Sequence, residues 1–461
     1  MILTSTTKRL AAAVLIVLAI IVLFCDLGSI PLHFDEAIYA EISKEMVERG
    51  EWLTPHWNAY AWFEKPPAYL WITGLLFKLF GINEFWARFA SALSALGVLL
   101  LAFLIARRIY NDSAGLLAVL ILLSSQLFVY YGRLGTTDTM LTLCIMLAVY
   151  AYLRSADDQR FWLLAGASCA MALMVKGAAG LIAPAVIFIT TIIDRRFFST
   201  LRSRWLWLGI ALGALLAAPW HLLMYWQHGN AFVSGYLSRH VMNRATININ
   251  QFDRSYGFYF SVLKNFVSPW AFILPFALIF ARRPRSSVVM VLGLMVFVVY
   301  TLVQTKYQWY ILPAIPAFAI VTGAFLTRLT ETGTQIKLGI GALALILLWG
   351  FAEYGVIRLI KTRDPEIEAA ARLAKLSAGH QHGVMVYPEH LGMTVKFYSG
   401  GNLCTDPVIN KLSHNEVFEC EPTELTHMIL RTADRAIVES RYTINPLRED
   451  GPLTYAAIAR R

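Results

Sequence analysis

PPAYLWITGLLFKLFG, Pro66 to Gly81, decides the topology of the chain. It is apolar enough to be counted as a membrane span, yet it is short, opens on two prolines and carries Lys78. A hydrocarbon layer of about 30 Å asks for about 20 helical residues, fewer when the ends snorkel. Read without this stretch, the qualifying apolar runs lie near 10–28, 85–106, 114–131, 137–153, 161–175, 178–193, 205–226, 258–280, 287–304, 308–329 and 336–358. The loops on the N-terminal side then collect Lys8-Arg9, Arg107-Arg108, Arg154 with Arg160, Arg195-Arg196 with Arg202 and Arg204, Arg282-Arg283 with Arg285, and Arg328 with Lys337. Counting 66–81 as a twelfth span moves nearly all the later clusters outside, against the positive-inside rule. The expectation is a polytopic α-helical membrane protein of about eleven spans, its C-terminal part on the side opposite the N-terminus.

Composition agrees. The 461 residues are 57% hydrophobic and 15% charged, with a mean hydropathy of +0.55. A soluble domain carries nearer a quarter charged residues. The net charge of +10 falls in short clusters between apolar runs, which is the pattern of inside loops and argues against a nucleic-acid partner. Lys8-Arg9 followed by LAAAVLIVLAIIVLF has the look of a signal peptide, but no small-residue cleavage site follows, and VLFC lacks the small residues expected before a lipidated cysteine. It reads as an uncleaved first span. Cys25, Cys144 and Cys169 lie in apolar runs and read as packing residues, whereas Cys404 and Cys420 are placed to form a disulfide if their segment is outside the cytoplasm.

Residues 1–360 thus form the membrane part, with two long outer loops at 29–84 and 227–257, and 361–461 a small soluble α/β domain. In the first loop DEAIYAEISKEMVERG has Ile38, Ile42, Met46 and Val47 at helical spacing, with Glu41, Lys44, Glu45 and Glu48 on much of the remaining surface. That is the pattern of an amphipathic helix lying on the membrane. In the C-terminal part, GVMVYPEH, MTVKFYSG and RAIVESRY read as strands and DPEIEAAARLAKLSAG as a helix.

Polar residues gather on the outer face. Asp35 and Glu36 follow the first span and Glu64-Lys65 precede the two prolines. Arg133 and Asp138 lie between spans three and four, and Lys176 between spans five and six. Arg239, His240 and Arg244 are in the second long loop, and Lys306 and Tyr310 precede the tenth span. Each has a plain structural explanation: Asp35 as a helix N-cap, Lys65 and Lys176 as snorkelling lysines, His240 as a hydrogen-bonded loop residue, and Tyr310 as an interfacial tyrosine. Ionisable groups at the interface are costly, however, and several loops converging with carboxylates and cations suit a phosphate-bearing substrate. One carboxylate would manage a proton while Lys and Arg neutralise the phosphate. No His-Glu-x-x-His or paired-Cys motif is present. Carboxylates beside a phosphate leave a divalent metal open, but the cations can do the neutralising, so no metal or cofactor is required.

The runs FDEAIYAEISKEMVERGEWLTPHWN, WFEKPPAYLW, RLGTTDTMLT, MVKGAAGLIAP and TKYQWYILPAIP resemble the bacterial lipid A aminoarabinose transferases and their relatives. These are membrane glycosyltransferases of the GT-C fold, distantly related to protein O-mannosyltransferases. The resemblance implies a polyprenyl-phosphate sugar donor and inverting transfer to a lipopolysaccharide-type or other glycan acceptor on the periplasmic face of the bacterial inner membrane. It makes Asp35 the catalytic carboxylate with Glu36 as secondary candidate. Lys65, His240, Arg244, Tyr310 and Lys306 would bind the donor phosphate, and Asp138 would be a second acidic position. Arg133, Glu64 and Lys176 remain further candidates from the clustering alone. The chain departs from the pattern in its length and small tail, and in Trp62 where relatives often carry Tyr. Transfer to protein and flipping of a lipid-linked sugar are the alternatives; a transporter should place charge near span centres, and AVLILLSS and LGALALILLW carry none. A receptor or scaffold leaves Asp35, Lys65 and Arg244 unexplained.

Overall fold

The computed structural model describes residues 5–58, 60–247, 255–280, 285–331, 364–377, 384–387, 389–400, 403–405, 418–419, 426–440 and 442–460. In chain order, the helices of the first three quarters are α1 Ser5–Phe24, α2 Phe34–Arg49, α3 Ala68–Phe80, α4 Glu84–Ile109, α5 Asp112–Ser124, α6 Gln126–Arg133, α7 Thr137–Arg154 and α8 Phe161–Lys176. They continue with α9 Ile182–Ile193, α10 Phe197–Leu201, α11 Arg204–Phe232, α12 Arg244–Thr246, α13 Phe258–Phe266, α14 Trp270–Phe280, α15 Ser287–Leu302 and α16 Ala314–Glu331. The chain divides into two compact units. The first holds residues 1–25, 63–69 and 89–359; the second holds 26–62, 70–88 and 360–461. The second unit also takes in most of the first long loop.

In the first unit each apolar run whose residues are described is helical; the run at 336–358 lies outside the described residues. Among the described residues, three helical runs, Glu84–Ile109, Phe161–Ile193 and Arg204–Ser238, are long and apolar enough to cross a membrane, and up to five if each bent pair is one span. Two of the expected runs are broken. The run at 114–131 bends by 70° between α5 and α6, where Ser125 leaves the helical conformation and its Oγ accepts from Phe128 N, a local cap in place of a ladder bond. The run at 258–280 bends by 110° across Val267–Pro269, where proline removes a backbone donor. Leu215, Leu222 and Trp226 of α11 and Val14, Ile16, Val17 and Ile21 of α1 are exposed, an apolar exterior that suits lipid. Small residues let helices touch: a Cβ on Gly166 of α8 would stand 1.9 Å from Gly209 O of α11, so the two pack backbone to backbone.

The second unit has a six-stranded sheet of order β5-β4-β3-β6-β8-β7 beside the short hairpin β1 His56–Trp57 and β2 Tyr60–Ala61. Its strands are β3 Val384–Tyr387, β4 Leu403–Thr405, β5 Phe418–Glu419, β6 Thr426–Arg431, β7 Tyr442–Asp450 and β8 Leu453–Arg460. The first four are parallel, and β8 and β7 join antiparallel. Alternate residues face opposite sides. Val386 and Ile429 pack with Ile367 and Leu373 of α17 (Pro365–Ser377). Met385, Met428 and Leu430 pack with Val438 and Tyr442.

Two expected strands are helices. MTVKFYSG forms most of α18, Gly392–Ser399, closed by Gly400 at φ 66°. Val395 packs on the sheet core while Phe397 packs against Leu32, Ala37 and Ala40 of the first loop, so a helix buried on two sides mimics strand alternation. RAIVE, Arg435–Glu439, forms α19, tied by an Arg435–Glu439 ion pair at 2.7 Å and followed by β7. The expected disulfide falls on Cys404 and Cys420, whose side chains lie outside the described residues.

α2 is not the surface-lying amphipathic helix its pattern suggested. Glu41 and Glu45, expected on its polar side, are buried at 1% and 5% exposure. Lys396 of α18 stands 3.3 Å from Glu41 and 3.4 Å from Glu45, and Lys44 stands 3.2 Å from Glu41. A helix covered on its charged side needs a buried counter-ion; Lys396, remote in sequence, supplies it.

Candidate functional site

Helix ends in the first unit place charge where the backbone favours it. Asp138 lies in the first turn of α7 and Lys176 in the last turn of α8, each matched to its helix dipole. They form an ion pair in which Asp138 is buried and Lys176 half-buried. The Lys176 ammonium also stands 5.2 Å from the centre of the Tyr310 ring. Tyr310 occupies a short turn, Gln308–Ile311, within an aromatic group: its ring lies 5.1 Å from Tyr300 and 5.2 Å from Tyr307. Lys65 is held just before α3 by Pro66 and Pro67, which restrict the backbone, and is 9% exposed.

One cavity of about 220 Å³ has Glu64, Lys65, Lys176, Gly177, Tyr236 and Tyr310 on its wall. Four of the expected residues, Glu64, Lys65, Lys176 and Tyr310, are thereby brought together, with Asp138 paired to Lys176. Other candidates are placed differently. Arg133 donates to Val22 O at 2.6 Å and Cys25 O at 2.7 Å, capping carbonyls at the end of α1. Lys306 donates to Val303 O at 2.6 Å and stands 5.5 Å from the Tyr256 ring; it is not on the cavity wall. The backbone of His240 and Arg244 is helical, but both side chains lie outside the described residues. Their neighbour Ala245 lines the cavity and accepts from Gln304 N at 3.2 Å.

Sequence reading missed Tyr236. It sits in a π-helical stretch, Val233–Asn243, that continues α11 into the loop read as merely polar. The signal was there in Phe232 and Tyr236, one helical turn apart, whose rings stack at 5.2 Å. Gly177 makes room for it: its backbone is at φ 55° and ψ −129°, and any Cβ would stand 2.6 Å from the Tyr236 hydroxyl. Only glycine accepts both conditions.

The acidic turn of α2 belongs to the second unit. His33, not Asp35, occupies the N-cap position, and Glu36 completes a capping box. Arg88 grips Glu36 with both ends of its fork, Nε at 2.9 Å and Nη2 at 2.6 Å. The same guanidinium donates to Leu27 O, Ile30 O and Pro31 O at 3.0, 2.7 and 3.1 Å. Burial acts to raise the Glu36 carboxyl, but Arg88 and His33 outweigh it and hold the group far below the usual range. Asp35 is half-buried in the first turn of α2. Phe34 before it is left-handed, at φ 48°. For a bulky residue that is a genuine outlier, the kind of strain found at functional turns.

The solved structure of ArnT from Cupriavidus metallidurans bound to undecaprenyl phosphate superposes with a TM-score of 0.81 at 20% identity, covering 97% of both chains. The fold is thus that of the membrane-embedded GT-C class. A family profile described as dolichyl-phosphate-mannose-protein mannosyltransferase matches residues 64–226. An uncharacterised protein of Aquifex aeolicus (strain VF5) is 32% identical over 68% of this chain and 62% of its own length. The undecaprenyl phosphate-alpha-4-amino-4-deoxy-L-arabinose arabinosyl transferase of Erwinia tasmaniensis is 29% identical over 85% of this chain and 76% of its own. In sequence and in fold the chain is thus similar to the aminoarabinose transferases of the GT-C fold. It spans less than two thirds of the length of several of these relatives, between 54% and 64%.

Proposed function

We propose that this chain is an inverting glycosyltransferase that moves a sugar, aminoarabinose or one similar, from a polyprenyl-phosphate donor to a lipid A-type or other glycan acceptor. The observation that carries the reading is the cavity in which Lys65, Lys176 and Tyr310 meet. A phosphate leaving group gathers negative charge as the bond to the sugar breaks, and buried, pre-oriented cations stabilise that charge far better than water does. Asp35 takes the role of base: it accepts the proton of the acceptor hydroxyl as that oxygen bonds to C1 and the C1–O bond to phosphate breaks. Glu36, whose oxygens are committed to Arg88 and His33, serves structure rather than chemistry. The names of the aminoarabinose relatives support the sugar, and the mannosyltransferase profile keeps a protein acceptor as the second reading.

The test is transfer by the purified chain from a synthetic polyprenyl-phosphate aminoarabinose to lipid A and, separately, to peptide. Product on lipid A alone supports the first reading; product on peptide alone supports the second; none on either removes both. In the same assay Lys65→Ala is expected to raise the donor KM at least about tenfold, the scale of a lost hydrogen bond to a charged group. An unchanged donor dependence takes Lys65 out of the phosphate site.

The cation clusters in the alternate loops support a reading with eleven spans and with the active face and residues 361–461 in the periplasm. An alkaline phosphatase reporter fused after Arg461 is expected to be active, as that enzyme is only outside the cytoplasm; an inactive fusion breaks the topology.

A further inference from the structure

The cavity wall carries a tyrosine whose hydrogen-bonding sense is fixed from behind. His221 of α11 lies with Nδ1 2.8 Å from Ala217 O and Nε2 3.2 Å from the Tyr236 hydroxyl. A carbonyl only accepts, so Nδ1 carries the proton, and in the neutral ring Nε2 must accept from Tyr236. The tyrosine proton is thereby used, and what its oxygen offers the cavity is an acceptor. Of the other polar groups on the wall, Lys65 and Lys176 donate, Glu64 accepts, and the Tyr300 and Tyr310 hydroxyls can do either. A phosphate needs donors. A sugar, with hydroxyl or ammonium groups, needs acceptors.

The arrangement is built rather than incidental. Tyr236 is 7% exposed, stacked on Phe232 and edge-on to Trp220 at 6.5 Å. Its hydroxyl reaches the backbone after Lys176 only because residue 177 lacks a side chain. π-Helical turns of this kind recur at functional positions.

Resting on the glycosyltransferase reading, we propose that Tyr236, oriented by His221, binds the sugar of the donor by accepting a hydrogen bond from one of its hydroxyl or ammonium groups. Tyr236 is then a specificity residue and His221 a positioning residue. Recognition by a buried polar group discriminates well, because an analogue lacking the matching donor leaves that group unpaired.

Tyr236→Phe keeps the ring and its stacking while removing the oxygen, so it is expected to fold. Two quantities separate its role: the KM for the polyprenyl-phosphate sugar, and the inhibition constant of polyprenyl monophosphate alone. The expected result is a KM raised about tenfold, the loss of one hydrogen bond in a dry site, with the inhibition constant unchanged. His221→Phe should shift KM in the same direction, and the double variant should be no worse than Tyr236→Phe, as for residues acting as a unit. A rise in both constants together makes Tyr236 a phosphate ligand or a mere wall, and overturns the proposal. So does no change in either. If the wild-type chain transfers no sugar from any such donor, the underlying reading fails, an outcome distinct from a normal wild type with an indifferent variant.

Discussion

Asp35→Asn reaches the membrane folded, binds the donor, and loses at least about a hundredfold in turnover, the usual scale for removing a general base. Folding should survive because Asp35 is not the group that starts α2. His33 holds the N-cap position, and Glu36 accepts from its backbone N–H at 3.3 Å. Asparagine has almost the same shape, lacks only the charge, and is tolerated in the first turn. What it cannot do is take a proton from an attacking hydroxyl. The expected signature is a fallen kcat with little change in donor KM, the pattern of an interaction made in the transition state alone. Near-normal transfer would remove Asp35 from the chemistry. A collapse in folded yield would mean that the side chain is structural.

Arg88→Leu gives the largest expected loss of stability. It leaves Glu36, 2% exposed, buried without its guanidinium partner, and strips donors from Leu27 O, Ile30 O and Pro31 O. Breaking a buried pair from one side costs about 3–5 kcal/mol, whereas replacing both partners by apolar groups is often close to neutral. Thermal unfolding of detergent-solubilised protein should therefore show Arg88→Leu strongly destabilised and Glu36→Leu/Arg88→Leu partly restored. Restoration falls short of complete because the three carbonyls keep their loss. A single variant as stable as wild type would show that the ion pair contributes nothing to the second unit.

What the sequence revealed follows from how each feature is enforced. The apolar runs were legible because a hydrocarbon layer imposes length and composition on helices that cross it; α4, α7, α8 and α11 fall where expected. The bends at Ser125 and at Val267–Pro269 were not, since a serine or a proline inside an apolar run changes hydropathy very little. The charged side of α2 misled for a different reason. Glu41 and Glu45 look solvated until Lys396 is brought against them, and nothing near them in sequence announces that partner. α18 misled because a short helix covered on two sides, by Val395 and Phe397, shares its pattern with a strand.

The candidate site divides the same way. Lys65 announced itself by its two prolines, and Lys176 by being a lysine at the end of an apolar run. That Lys176 pairs with Asp138 depends on two helix ends meeting, which no local pattern shows. Tyr236 was hidden because helical structure persists past the last apolar residues of α11, while Arg133 and Lys306 turned out to spend their donors on nearby carbonyls.

The proposed reaction requires that a lipid-linked sugar phosphate be cleaved, with phosphate departing as sugar is transferred. The direct measurement is to give the purified chain a polyprenyl monophosphate sugar of known anomeric configuration, count the polyprenyl monophosphate released, and read the product configuration by NMR. One lipid phosphate freed per sugar transferred, with C1 inverted, is the predicted result; retained configuration, or sugar transferred without release of the lipid phosphate, contradicts it.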